Sequence, residues 1–268
     1  MSKKKITILT LFPEMFNGFL TNSIIKRAIA KDLVEVKIVN IRDYTKDKYG
    51  RVDTPPIGGG AGLIMKCQPL ANAIKASCDP KSQSHRILLS PRGAKYNQKR
   101  AHELANLEKD IVIVCGHYEG VDERANNDVD ELISIGDYIL TGGEIGAMAI
   151  TDSVIRLLDG AISGESIVEE SFENGLLEYP QYTEPYEWDG VKVPDILYSG
   201  NHGAIEKWRK KQSLKLTREL RPDLFEKYKL SKQENKLLAE LDSNETPKWE
   251  KEAIEKAQRF IKKDDGNE

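Results

Sequence analysis

Apolar residues in the first 160 positions come in short runs separated by charged or glycine-bearing stretches. Ile6–Phe12 reads as a strand, and Pro13 then suits the first turn of a helix running to about Lys31. Val34–Val39 alternates apolar and polar positions, as a second strand would. Ile41–Ala61 carries charge, Pro55-Pro56 and Gly58-Gly59-Gly60, and reads as a loop. A short strand over Gly62–Lys66 follows, then a helix over Pro69–Ser77, a strand over Arg86–Leu89, a helix over Asn97–Leu107 and a strand over Ile111–Cys115. Glu131–Leu140 reads as one or two further strands, and Glu144–Leu158 as a helix. Strands alternating with helices predict an α/β fold with a mainly parallel sheet.

Beyond Ala161 the pattern changes. Residues 161–198 hold Gly, Pro, Tyr and acids without helical periodicity, and read as an interdomain linker. From Gly203 to about Phe260 the period is helical and the surface charged, with breaks near Pro222 and Asp242–Thr246, and the last residues, Lys262–Glu268, read as a frayed end. The expected domains are therefore an α/β domain over 1–160, a flexible linker over 161–198 and a helical domain over 199–268.

Three of the strands end in glycine turns: Ile87-Leu88-Leu89 at Ser90-Pro91-Arg92-Gly93, Ile111–Cys115 at Gly116, and Leu132–Leu140 at Thr141-Gly142-Gly143. Glycine at a strand end lets backbone groups approach a ligand closely. Ligands of α/β sheets sit outside the carboxyl ends of strands. The three ends together predict one small-molecule site built largely from backbone.

Composition narrows the function. The 268 residues carry a net charge of −3, so contact with a polyanion must come from a local patch. Cys67, Cys78 and Cys115 form no CxxC pair, which argues against metal and disulfide frameworks and for a reducing cytoplasm. The start, Met1-Ser2-Lys3-Lys4-Lys5 followed by ITILTLF, reads as a mature N-terminus, and no apolar run approaches the ~18 residues of a membrane span.

Each candidate motif has a functional and a bland account. Gly58–Gly62 is a phosphate cradle or a flexible turn; with Leu63-Ile64-Met65-Lys66 after it, it is not a P-loop. Gly116–Arg124, GHYEGVDER, is a functional turn or a polar helix cap. Segment 203–221 holds Lys207, Arg209, Lys210, Lys211, Lys215, Arg218 and Arg221 against Glu206 and Glu219, which makes it a phosphate footprint or a solvated helix face. Trp208 reads as core. Tyr179, Tyr182, Tyr186 and Trp188 stack on bases or pin the linker to the first domain.

Taken together, the segments TLFPEMF (10–16), GGGAGLIM (58–65), Leu88-Leu89-Ser90-Pro91, VCGHYEGVDER (114–124), SIGDYILTGGEIGAM (134–148), Glu169-Glu170-Ser171-Phe172 with NGLLEYPQYTEP after it, and LYSGNHGAIEKWRKKQSL (197–214) resemble the bacterial tRNA (guanine-N1)-methyltransferases of the SPOUT class. The resemblance runs over about residues 5–225 in the family's order and spacing. It implies a SPOUT-type parallel sheet with a C-terminal trefoil knot and a small all-α C-terminal domain that grips tRNA. It also implies S-adenosylmethionine as methyl donor, N1 of the guanine 3′ to the anticodon as target, and an obligate homodimer with active sites shared between subunits.

The resemblance implies site residues position by position. Gly116 and Ile135-Gly136-Asp137-Tyr138-Ile139-Leu140 match the family's strongest cofactor signature. Leu88, Ser90, Pro91, Tyr118, Glu119, Gly120, Ser134, Gly142 and Gly143 join them. Arg156 matches the catalytic arginine, and Glu170 stands where well-known members carry a catalytic aspartate. His117 stands where arginine is common and Gly146 where proline is usual. No protein metal cage is implied; Mg²⁺ is expected to travel with RNA and substrate. Two other functions remain open on the residues: a nucleotide hydrolase using the GGGAG loop, and a catalytically silent RNA-binding homologue, for which the Glu170 departure speaks.

Overall fold

A computed structural model describes residues 3–78, 83–163, 169–243 and 245–264. The expected N-terminal start and the frayed end lie partly outside these residues, as do positions 164–168 of the expected linker. The chain divides into two units, residues 1–167 and 168–268.

The first unit is built on a five-stranded sheet in the order β2-β1-β6-β5-β7, from β1 (Lys4–Thr10), β2 (Val34–Asn40), β5 (His85–Lys95), β6 (Ile111–Val114) and β7 (Glu131–Ser134). Every pairing in it is parallel. Successive residues of β6 point to opposite faces. Ile111 and Ile113 pack with Ile6, Ile8, Phe16, Ile87 and Val154 in one core, and Val112 and Val114 with Leu9, Leu70, Ile74 and Leu88 in another. The first core is closed by α2 (Ser23–Ala30), α4 (Gln98–Asn106) and α5 (Glu144–Ile155), the second by α3 (Cys67–Ser77). A sheet covered on both faces is the usual setting for an all-parallel arrangement, and it explains the continuous Ile-Val-Ile-Val run.

Several boundaries differ from the sequence pattern. The helix expected over 13–31 is a 3-10 turn (Pro13–Phe16), α1 (Asn17–Thr21) and then α2, with Ser23 at φ 54°. The side chain of Thr21 donates to the Asn17 carbonyl at 2.7 Å and that of Asn22 to the Gly18 carbonyl at 2.8 Å. Those polar side chains take the acceptors that the next helical turn would use. The region expected as a loop over 41–61 contains a 3-10 turn (Ile41–Tyr44) and β3 (Asp53–Thr54), which pairs antiparallel with β4 (Ile64–Met65). Fully buried Val52 and Met65 anchor that pair to the second core.

β5 runs through its glycine turn instead of ending there. Leu89 and Ala94 both pair with Ile133, so Ser90–Gly93 loops out of an otherwise continuous ladder. β7, expected to reach Leu140, stops at Ser134. The Ser134 hydroxyl accepts the Gly136 N–H at 3.2 Å and donates to its carbonyl at 3.1 Å, which folds Gly136 into a turn at φ 150°.

Polar ties hold the edge strand. His85 Nε2 lies 2.6 Å from Glu131, and Arg100 of α4 also bridges to Glu131. Arg86 donates from Nε at 3.0 Å and Nη2 at 2.8 Å to Asp130, and its backbone N–H adds a third bond at 2.8 Å. The guanidinium, foremost, lowers the Asp130 pKa from 3.8 to about 2. A lowered carboxyl pKa stabilises the fold above its ordinary value, and the contribution disappears as pH falls through the folded value. Acid titration from about pH 4 to about pH 2 is therefore expected to weaken the fold through this bridge by on the order of 1 kcal/mol after solvent screening. Denaturant melts of wild type and Asp130→Asn across that range check it: the variant's curve should be the flatter.

The second unit contains a hairpin of β8 (Glu187–Trp188) and β9 (Val191–Lys192), a 3-10 turn (Asp195–Tyr198), and helices α6 (His202–Leu220), α7 (Pro222–Phe225), α8 (Lys232–Asp242) and α9 (Lys248–Asp264). Residues 169–198, part of the expected linker, pack here. Leu176 is buried with Leu214, Leu237 and Leu238, and the Leu177 N–H donates to Thr217 Oγ1 at 2.9 Å. Among the described residues no helix is long and apolar enough to cross a membrane.

Candidate active site

The loop-out of β5 and the carboxyl ends of β6 and β7 open onto a cleft of about 660 Å³. Its walls are residues 89–92, 116–121, 133–136 and 138–143, with Glu123 and Gly146. Three loops thus converge, each from one of the glycine-bearing segments picked out in the sequence. Gly143 N–H donates to the Gly116 carbonyl at 2.9 Å, and His117 bridges to Gly142, so the chain leaving the edge strand is tied to the end of β6. Glu144, next in line, accepts from Thr10 Oγ1 of β1 at 2.7 Å. The segment therefore crosses the ends of β5 and β6 on its way from β7 towards β1.

The glycines are required by packing. A Cβ at Gly143 would stand 2.8 Å from Cys115 Cα and 3.1 Å from Gly116 N. One at Gly93 would stand 2.5 Å from Ile133 N, and one at Gly142 would stand 2.6 Å from His117 Nδ1. Backbone consequently forms much of the cleft surface.

Of the expected cofactor-binding residues, Ser90, Pro91, Gly116, Tyr118, Glu119, Gly120, Ser134, Ile135, Gly136, Tyr138, Ile139, Leu140, Gly142 and Gly143 line this cleft. Leu88 does not: it is 1% exposed in the second core, and its neighbour Leu89 faces the cleft instead, as strand alternation demands. Asp137 is likewise outside the lining, and its carboxylate pairs with Lys95 at the surface. Arg92, Val121, Ile133 and Thr141, each next to an expected residue, also line the cleft, as does Glu123. Arg92 and Glu123 form a 2.8 Å ion pair between two of the walls.

One side chain lining the cleft, His117, and one buried behind it, Cys115, bear on its chemistry. His117 stacks between Phe12 and Tyr118, each ring centroid 4.8 Å away, and its Nδ1 is buried with no hydrogen-bond partner. A buried ring nitrogen left open beside a glycine turn suits a polar ligand group. Cys115 is fully buried, and burial foremost, then the charge of Glu144, raises its thiol pKa well above the ordinary range. It is unsuited to nucleophilic catalysis.

The two expected catalytic residues lie elsewhere in the chain. Arg156 caps the C-terminal end of α5, whereas Gly143 and Gly146 meet the cleft at its N-terminal end. Twelve helical residues separate the two ends by about 18 Å. Glu170 belongs to the second unit, in a turn where the Glu173 N–H donates to its carbonyl at 3.3 Å. Its neighbour Glu169 is engaged by the Tyr179 hydroxyl and lies 3.9 Å from Arg209.

The basic segment is helical over α6, and most of its cations have acidic partners in the second unit. Lys207 and Lys210 each lie 3.7 Å from Glu240 and Glu234 respectively, Lys211 lies 2.7 Å from Glu250, and Arg218 lies 2.9 Å from Asp242. Arg209 faces Glu169, and Arg221 pairs with Asp223 at 2.7 Å. Lys215 is exposed, with no carboxylate in reach among the described residues. Lys211, with 8% of its side chain exposed, is a structural cation. Lys211→Met is expected to strand Glu250 and cost about 3 kcal/mol in denaturant unfolding, with Lys211→Met/Glu250→Leu recovering most of it.

Trp208 is core, as expected. Tyr179 and Tyr182 pack on Arg209 and Trp208, and Tyr186 donates to Asp195 at 2.7 Å, so these tyrosines have partners within the second unit. Trp188 is 75% exposed.

Comparison with known proteins bears on this arrangement. A family model described as tRNA (guanine-1)-methyltransferase TrmD matches residues 4–227. Curated relatives named tRNA (guanine-N(1)-)-methyltransferase are similar over most of their length. That of Clostridium botulinum strain Hall is 51% identical over 239 residues, 89% of this chain and 98% of the relative. That of Clostridium perfringens is 52% identical over 235 residues, 87% and 98%, and that of Dictyoglomus turgidum 50% over 238 residues, 88% and 96%.

Proposed function

This chain belongs to the tRNA (guanine-1)-methyltransferase family, and on that footing we propose that its cleft binds S-adenosylmethionine for methylation of N1 of the guanine 3′ to the anticodon. The enzyme is a tRNA methyltransferase. The observation that carries the cofactor assignment is the cleft itself, lined by three glycine-bearing loops at the edge of the sheet.

Gly116, Ile135, Gly136, Leu140, Gly142 and Gly143 would hold the cofactor through backbone, with Tyr118 and Tyr138 as apolar walls. When bound, it supplies a methyl group already activated on a sulfonium. The protein's own work falls on the guanine. N1 carries a proton at neutral pH and is a poor nucleophile until the proton leaves, so a carboxylate base is needed, and Glu170 is assigned that role. Loss of the proton pushes negative charge onto O6, where the guanidinium of Arg156 stabilises it.

The reading includes a homodimer with shared active sites, and the helix geometry supports it. Arg156 caps the end of α5 remote from its own cleft, and exposed apolar side chains such as Ile139 and Ile145 border that cleft. The path of residues 135–143 across the ends of β5 and β6 supports a trefoil knot closing there. The 1–160 region is read as the knotted catalytic domain, 161–198 as the connection and 199–268 as the tRNA-binding domain. Mg²⁺ is read as entering with RNA, and the cytoplasm, where tRNA is, as the place of action.

Methyl-transfer assays with tRNA transcripts that differ only at the guanine 3′ to the anticodon test the reading. Incorporation confined to the guanine-bearing transcript is expected. Transcript binding without any incorporation would instead favour a catalytically silent RNA-binding protein.

A further inference from the structure

Most cations of α6 have acidic partners in the second unit, and the first unit offers unpaired positive charge of its own. The loop that follows β2 supplies it. Residues 42–51 carry Arg42, Lys46, Lys48 and Arg51 against Asp43 and Asp47. Only Arg51 is ion-paired there, to Asp47 at 3.0 Å; neither Lys46 nor Lys48 has a carboxylate in reach among the described residues. Next to Lys48 stands Tyr49, 70% exposed, with Lys48 Nζ 4.8 Å and Arg51 Cζ 5.3 Å from its ring centroid.

The loop is shaped and placed for this. Asp47 accepts from the Tyr49 N–H at 2.8 Å and from the Arg51 guanidinium, which fixes the turn that presents the ring. Arg42, at the loop's start, donates to the Tyr118 hydroxyl at 3.4 Å, and Tyr118 lines the cleft. The patch is thus continuous with the candidate active site of the same unit.

We propose that loop 42–51 is an RNA-docking lip of the catalytic unit, in which Tyr49 stacks on an unpaired base near the target guanine while Lys46 and Lys48 hold adjacent phosphates. An exposed aromatic flanked by cations is the chemistry of single-stranded nucleic-acid recognition, with stacking from the ring and backbone contacts from the ammonium groups. A base arriving on the ring displaces the Lys48 ammonium from its face, and a phosphate beside that base receives it. The occupant is RNA with an unpaired segment, a loop and not a duplex.

The proposal rests on the tRNA reading above, and the test separates the two. A labelled anticodon stem–loop RNA is titrated against the full chain by fluorescence anisotropy over a range of salt. Tyr49→Ala is expected to weaken binding about ten-fold and Tyr49→Phe to keep it. Lys46→Ala/Lys48→Ala is expected to lower the salt slope by about two. S-adenosylmethionine affinity by calorimetry and the thermal midpoint should not move, since all three side chains are at the surface. With a fully paired hairpin RNA, Tyr49→Ala should have no effect. Wild-type affinity and slope in both variants, alongside a wild type that binds and methylates tRNA, would overturn the lip and leave the function intact. A wild type that neither binds the stem–loop nor methylates tRNA would overturn both.

Discussion

Gly143→Val is expected to abolish S-adenosylmethionine binding in calorimetry. Gly143 has an ordinary backbone, φ −80°, so the obstacle is space. The added Cβ would fall 2.8 Å from Cys115 Cα, and the atoms in the way are the backbone at the end of a central strand. To make room, the 142–143 turn must lift away from β6 and give up the bond from Gly143 N–H to the Gly116 carbonyl. That movement spoils two of the three cleft walls at once. Gly146→Ala is the matched comparison. There the new methyl meets the Leu89 side chain at 3.2 Å and Ile135 methyls beyond 3.4 Å, groups that can yield. Alanine also suits a helix interior better than glycine by about 1 kcal/mol. Its cofactor affinity should stay near wild type. A folded Gly143→Val protein with unchanged affinity would remove the cleft as the cofactor site.

Glu170→Gln is expected to lower single-turnover methylation by roughly 10²–10⁴-fold, with tRNA and cofactor affinities little changed. The amide keeps the shape of the side chain and cannot take the N1 proton. Glu170→Asp should keep most activity, since aspartate is what the resemblance places there. The adjacent acid provides the control: Glu169 is bound by the Tyr179 hydroxyl and faces Arg209, so it is committed to the second unit's own packing. Glu169→Gln should be mild. If Glu169→Gln is the crippling change and Glu170→Gln is nearly silent, the base has been placed one residue off. If both are silent while transfer proceeds, no carboxylate at this position acts as base.

What the sequence disclosed, and what it hid, follows from the range over which each signal acts. The glycine-ended strands were legible because a close backbone approach admits no other residue, as Gly93 and Gly143 show. The false extension of β7 has the opposite cause. Tyr138 and Ile139 look like core, yet they are 56% and 81% exposed along a cleft wall, where apolar side chains await a ligand or a partner. Periodicity does not distinguish the two uses. Leu88 and Leu89 differ by phase: adjacent leucines on a strand face opposite ways, so the Leu88 side chain lies in the second core and Leu89 lines the cleft. The ion pairs of α6 were hidden by distance along the chain. Its neutralising acids, Glu234, Glu240, Asp242 and Glu250, lie on α8 and α9, outside any local window. The break after Thr21 depended on side chains taking helical acceptors, a competition that composition alone leaves undecided.

The loop-out of Ser90–Gly93 separates two jobs usually fused in a strand. Because Leu89 and Ala94 address the same residue of the neighbouring strand, the ladder resumes as though the four intervening residues had not been read. The sheet's register is indifferent to what those residues are. Ser90, Pro91 and Arg92 can therefore be exchanged, and the cleft wall they form reshaped, without shifting a single downstream pairing. Gly93 alone is held to its identity, since an added Cβ would stand 2.5 Å from the partner backbone. Ligand preference can thus drift on one side of that glycine while the scaffold on the other stays fixed.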